Sequence, residues 1–297
     1  MMAVFLLGAG WAIVSRRHEL ATALHKLQWP SVLLSLLFGV LALGAIFMSW
    51  LVAVGAGGAA LPMRDGARVY FVGQVGKYLP GSVWPVLTQA QLGRRRGIPP
   101  MRMASASLMA LAISVAVNIL FGALLLPLAG HHATHELWWI SLVAIPFIPL
   151  LHPAVLTFLV KFAARVLRRG EPDVEYSARG IALSSAWVAI GALLFGAHID
   201  TLGHALGAHG AKGFVLSACA YALASSVGVI VIFVPAGAGV REAILTAVLA
   251  PVLTVDSALL VALVSRAVLV VADVGLALVQ LPGLRKMGLD ALPAADG

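Results

Sequence analysis

The sequence predicts an all-α polytopic membrane protein of about six spans plus two helical re-entrant hairpins, arranged as an inverted repeat. Three observations carry that prediction. Of 297 residues only 11% are charged and 61% are hydrophobic, with a mean hydropathy of +0.99. A soluble globule uses about 25% charged residues to build its polar skin, so this chain cannot cover one. Apolar stretches long enough to cross a bilayer recur along the whole chain, and two further apolar segments are interrupted by charged Pro/Gly breaks.

Taken in order, the opening run MMAVFLLGAGWAIV lacks the basic flank of a secretory signal. As a helix it reaches only about 21 Å against a hydrocarbon core of roughly 30 Å, so it reads as a short first span. Spanning stretches follow at residues 30–55, 102–128, 137–158, 178–199 and 257–281. The stretch at 137–158 contains Pro146, Pro149 and Pro153 and is expected to kink, because proline removes a helix hydrogen bond and clashes with the preceding turn. Connectors are short and polar, so residues 1–297 form one transmembrane domain.

The interrupted segments are 67–93, broken at Leu79-Pro80-Gly81, and 214–249, broken between Pro235 and Gly239. In each, the arm after the break is about a dozen helical residues long, roughly half a bilayer. The order span, span, hairpin, span then occurs twice, over about 1–130 and 137–281. An odd number of crossings in the first copy turns the second one over, which is the plan of many secondary transporters. Basic residues agree with an inside N-terminus: Arg64, Arg68, Arg94–Arg96, Arg102, Lys161, Arg165, Arg168, Arg169, Arg179, Arg285 and Lys286 fall inside. Only Arg16, Arg17, Lys26 and Lys212 fall outside. Flipping the first two spans and letting 67–93 cross satisfies the charge bias equally, and the repeat pattern decides for the hairpin.

Several function classes are disfavoured. The net charge of +8 and pI of about 10.3 reflect loop Lys and Arg, with no basic run interleaved with aromatics, so nucleic acid is not an expected partner. Cys219 stands alone, which excludes an intrachain disulfide and a thiolate metal cluster. His131, His132, His135 and Glu136 read as a solvated outer loop, and His198, Asp200, His204 and His209 as residues trailing off the outer end of a span. No metal or other cofactor is expected. There is no nucleophile elbow, P-loop or dinucleotide fingerprint, so catalysis is the weaker class and any transport is downhill or ion-coupled.

Three cations remain once loops are counted: Lys77, Arg241 and Arg266. A charge at mid-membrane costs from about 3 kcal/mol upward, so it needs a reason. Lys77 and Arg241 sit beside the two breaks, at matching places in the two repeats. Gly81-Ser82 and Gly237–Gly239 each open a half-helix whose first amide N–H groups lack acceptors, and such groups favour anions. Phosphate fits that combination. Glu242 needs a partner if buried, and Arg266 and Asp273, seven residues apart on one face, read either as an internal ion pair or as a substrate or proton site. Gln74 and Gln89 line a polar cavity or bond between helices, and Gln91 and Asn118 are read as interhelical. Tyr78 and Trp84 flank the first break and are placed to stack on a headgroup.

The stretches RVYFVGQVGKYLPGSVWPVLTQAQLGRRRG (68–97) and VPAGAGVREAILTAVL (234–249) resemble the two signatures of the lysylphosphatidylglycerol synthase transmembrane, or flippase-like, family. The resemblance extends over essentially the whole chain. It implies substrate-binding roles for Gln74, Lys77, Tyr78, Pro80, Gly81 and Trp84 in the first motif. In the second it implies them for Pro235, Gly237, Gly239, Arg241 and Glu242. It also implies a flippase half without the soluble aminoacyl-transferase domain, hence transport and no synthase activity. The expected ligand is a phospholipid, aminoacylated or not, or a polyprenyl-phosphate-linked glycolipid, in the cytoplasmic membrane. A second copy of the chain or a lipid-synthesis enzyme is the protein partner to expect. Two other readings are a non-transporting scaffold for a glycosyltransferase or lipid synthase, and an embedded enzyme acting on a lipid phosphate.

Overall fold

The structure is a computed structural model that describes residues 27–78, 83–129, 139–166, 176–231, 237 and 239–285. The first predicted span lies outside the described residues. So do the break residues Pro80, Gly81, Ser82 and Pro235, and the His131–Glu136 cluster.

Among the described residues there are helices and no strands. Helix α1 (Trp29–Ala56) starts with Pro30 in its first turn, where the missing N–H has no acceptor to lose. Helix α2 (Met63–Gln74) runs into a 3₁₀ turn (Val75–Tyr78), and α3 (Trp84–Arg94) follows the first break. Helix α4 (Pro100–Leu125) is again opened by proline. Helices α5 (Trp139–Ala144) and α6 (Pro153–Val166) flank two short 3₁₀ turns. Helix α7 (Ala178–Ala205) is capped by Ser177, whose hydroxyl accepts from the Gly180 amide at 3.1 Å. Then come α8 (Gly210–Ile230), α9 (Val240–Leu249) and α10 (Val255–Arg285).

Five of these helices, α1, α4, α7, α8 and α10, are long and apolar enough to cross a membrane, and the bent pair around Pro153 brings the number to as many as six. The expected kink in that pair is a bend of 86° between Leu142–Leu151 and Pro153–Phe162, far sharper than one proline produces. Three prolines close together explain it, since each removes a backbone donor from the same short stretch. Helices α2, α3 and α9 are short; the 10 residues of α9 reach only about 15 Å.

Helices α1 and α7, each 28 residues, lie along one another and form the centre of the molecule. Small residues let their backbones approach: a Cβ on Gly180 would stand 2.5 Å from Ala56 and one on Gly191 2.7 Å from Ile46. Polar bonds stitch the same seam, with Ser49 and Ser184 hydroxyls 2.8 Å apart. The other long contacts come in matched pairs: α4 packs on α8 as α10 packs on α2, and α3 packs on α4 as α9 packs on α10. Within each broken segment the two arms pack on each other. Their outer ends also meet, because Arg96 just beyond α3 reaches Asp65 at the start of α2 at 2.6 Å. Likewise Leu253, after α9, lies beside Gly203, close to the turn that leads into α8.

Candidate functional site

A cavity of about 280 Å³ opens against the α1–α7 seam. Its walls come from both halves of the chain: Gln74, Lys77, Tyr78 and Gln89 around the first break, Gly237 and Arg241 at the second, and Arg266 and Asp273 from α10. Residues far apart in sequence thus face one space.

The 3₁₀ turn that ends α2 sets Lys77 and Tyr78 on the same carboxylate. Lys77 Nζ lies 2.6 Å from Asp273 Oδ2, and the Tyr78 hydroxyl donates to that same oxygen at 2.6 Å. The Asp273 side chain is 3% exposed and that of Lys77 32%, so the acid is sealed in the wall while the amine faces the opening. At the second break, Gly239 adopts φ of 82°, a conformation that favours glycine, and α9 begins immediately after it. Glu242 folds back over this start: its Oε2 accepts from the Gly239 amide at 2.5 Å, and its Oε1 accepts from Arg266 Nη1. Arg241 points the other way. Its guanidinium lies 4.5 Å over the ring of Tyr221, which stacks on Phe195 at 3.9 Å. Nη2 of Arg241 is buried and has no hydrogen-bond partner among the described residues.

Several expectations are corrected by this geometry. Arg266 and Asp273 do not pair with each other. Seven helical residues separate them by about 10 Å along the axis, so a shared face is not contact. Each instead binds a residue of a different motif. The Gly239 amide is not bare, because Glu242 caps it. Asn118 lines the cavity and donates to Ser114 of its own helix at 3.4 Å, rather than bonding across helices, while Gln91 is exposed. Gln89 does both jobs weighed for it: it lines the cavity and accepts from Trp50 Nε1 at 3.1 Å. Trp84, in the first turn of α3, is 43% exposed and stands outside the cavity lining, behind Gly76.

His198 is the largest departure. Instead of trailing into solvent it is fully buried between α1, α7 and α10. Nδ1 lies 2.7 Å from Ser35 Oγ and 2.9 Å from the Ser35 carbonyl, and Nε2 lies 2.8 Å from Ser265 Oγ. The carbonyl can only accept, so Nδ1 carries a proton. His204 and His209 are exposed neighbours, 3.1 Å apart at Nδ1, and no group of metal ligands forms among the described residues.

The lysylphosphatidylglycerol synthase TM region family matches residues 2–277, nearly the entire chain. This chain belongs to that family. No curated protein matches it. The match and the run of long apolar helices make it a multi-pass membrane protein.

The two interrupted stretches singled out in the sequence account for only part of the cavity wall. Tyr221, Ser107, Ser114 and Ser225 also line the cavity. Trp50 Nε1 ties the wall together by donating to both Gln89 and Ser107 at 3.1 Å. The signal for these residues was present: each is a polar or amphipathic side chain inside a long apolar stretch, where it is expensive unless it faces a partner or a cavity. What the sequence could not supply was which of those two it faces.

Proposed function

We propose that this protein is a lipid flippase or transporter of the cytoplasmic membrane. It would move a phosphate-bearing lipid between leaflets: an aminoacylated or other phospholipid, or a polyprenyl-phosphate-linked glycolipid. The observation that carries the reading is the cavity in which Lys77 and Arg241, one from each motif, face a single space together with Arg266. Three cations against two carboxylates, Asp273 and Glu242, leave the site net positive, which is costly in a membrane interior and suits an anionic headgroup.

The architecture supports the same reading. Arms that return to their starting side fit hairpins entering the bilayer from opposite faces, and the matched packing of α4 on α8 and α10 on α2 fits two inverted repeats. In this mechanism the headgroup sits between the hairpins and the hydrocarbon tails stay in lipid. The Lys77–Asp273 pair ties the two halves of the chain together beside the headgroup. The work is binding and conformational exchange, with no bond made or broken in the lipid.

The test is reconstitution of purified protein into liposomes carrying a fluorescent phospholipid, with chemical quenching of the outer leaflet. The wild-type chain should equilibrate the probe, and Arg241→Ala or Lys77→Ala should abolish the movement while eluting normally in detergent. Probe movement that is no faster than in empty liposomes, or that survives both substitutions, would remove the assignment and favour a scaffold role.

A further inference from the structure

We propose that the cavity is matched to a phosphate carrying one negative charge, a phosphodiester, and that Asp273 sets this limit by occupying Lys77. This rests on the transport reading above and narrows its substrate class.

Charge accounting leads there. Around the cavity stand Lys77, Arg241 and Arg266, with two carboxylates, Asp273 and Glu242. Each carboxylate is committed: Asp273 to Lys77 and the Tyr78 hydroxyl, Glu242 to Arg266 and the Gly239 amide. Among the described residues Arg241 is the cation left over. The stretches of the two motifs outside the described residues, 79–82, 232–236 and 238, contain no charged side chain, so they do not alter the balance.

Arg241 is also built to hold something. Its guanidinium rests on Tyr221, itself stacked on Phe195, so the plane of the fork is fixed. Nη2 is buried and has no partner among the described residues, which in a low-dielectric setting is costly unless an acceptor arrives. Gly228 and Gly237 also line the cavity, and their backbones lie so close that a Cβ on Gly237 would stand 2.8 Å from Gly228 Cα. Neither contributes a side chain to that wall. A phosphodiester offers two unesterified oxygens sharing one charge, which a planar guanidinium binds as a fork.

A phosphomonoester or pyrophosphate brings further negative charge. Neutralising it would require Lys77 to leave Asp273, stranding a carboxylate that is 3% exposed with the Tyr78 hydroxyl as its remaining donor among the described residues. An uncompensated charge in such a place is worth well over a factor of ten in binding. Asp273→Asn keeps the size and the Tyr78 bond yet frees Lys77, so it should admit the second charge. Asp273→Glu should keep the limit.

The experiment compares two probe lipids with identical tails in the same proteoliposomes. One is a fluorescent phosphatidylglycerol, and the other a fluorescent phosphatidic acid at a pH above its second ionisation. Wild-type protein and Asp273→Glu should move the diester at least tenfold faster than the monoester, and Asp273→Asn should bring the two rates within threefold. Equal rates in wild type, or an unchanged ratio in a well-folded Asp273→Asn, would overturn the charge limit while leaving transport standing. If Asp273→Asn does not fold, the wild-type ratio decides alone. Movement of neither lipid would overturn both readings. Added millimolar inorganic phosphate should leave diester movement intact, since it lacks the tails that bring the headgroup to the site. Abolition by it would assign the cavity to a free anion and overturn the lipid class.

Discussion

The Glu242 carboxylate divides itself between Arg266 and the Gly239 amide, and this division makes a quantitative prediction. In Glu242→Gln a single carbonyl oxygen must serve both donors, and Arg266 loses its countercharge. Breaking one side of a buried ion pair costs about 3–5 kcal/mol. Arg266 is 27% exposed at the cavity, so the lower end applies, about 3 kcal/mol. Arg266→Met leaves Glu242, 10% exposed, with the Gly239 amide as its remaining donor among the described residues, for a similar loss of about 3 kcal/mol. The double substitution removes both charges and strands neither, so it should cost only about 2 kcal/mol, where independent effects would give about 6. Reversible unfolding in mixed detergent micelles, followed by helical circular dichroism, measures all three. A double variant whose loss equals the sum of the singles within about 0.5 kcal/mol would show that the pair is not coupled and that Glu242 acts through the cap alone.

Two further outcomes follow from the packing. Gly196→Ala places a methyl 2.6 Å from Ala218 Cβ and 2.9 Å from its Cα, so α7 and α8 must part, at about 1–3 kcal/mol; Ala218→Gly in the same chain should recover part of it, and no recovery would refute the contact. His198→Phe leaves the Ser35 and Ser265 hydroxyls without their ring partner; at about 0.6 kcal/mol per interhelical bond, and more for an orphaned group, a loss of about 2 kcal/mol is expected in the same unfolding assay. A change below about 0.5 kcal/mol would mean that the histidine is a space-filler.

The elements of the fold were mostly legible in the chain because a bilayer imposes a coarse rule that composition obeys. A helix crossing hydrocarbon must satisfy its own backbone and hide few charges, so α1, α4, α7 and α10 announce themselves as apolar runs bounded by Pro, Gly or charge. The two motifs stood out for the complementary reason: Lys77 and Arg241 are charges where charges are expensive. The bend at Pro153 was legible in kind but not in degree, since its 86° results from three prolines acting on one stretch.

Partner choice was another matter. Sequence spacing placed Arg266 and Asp273 on one face of α10, and from one helix alone a pair between them was a reasonable reading. Only the packing of α10 against α2 and α9 sends Asp273 to Lys77 and Arg266 to Glu242. His198 teaches the same lesson, since a histidine near a helix end is solvated or buried according to what crosses there, and here α1 and α10 do. Hydropathy and chain breaks are local properties, written residue by residue, so the sequence by itself determined the membrane, the helices and the cationic motifs. Which charge neutralises which depends on contacts between helices many residues apart. The tertiary structure alone decided that Asp273 takes Lys77, that Glu242 takes Arg266, and that Arg241 lines the cavity.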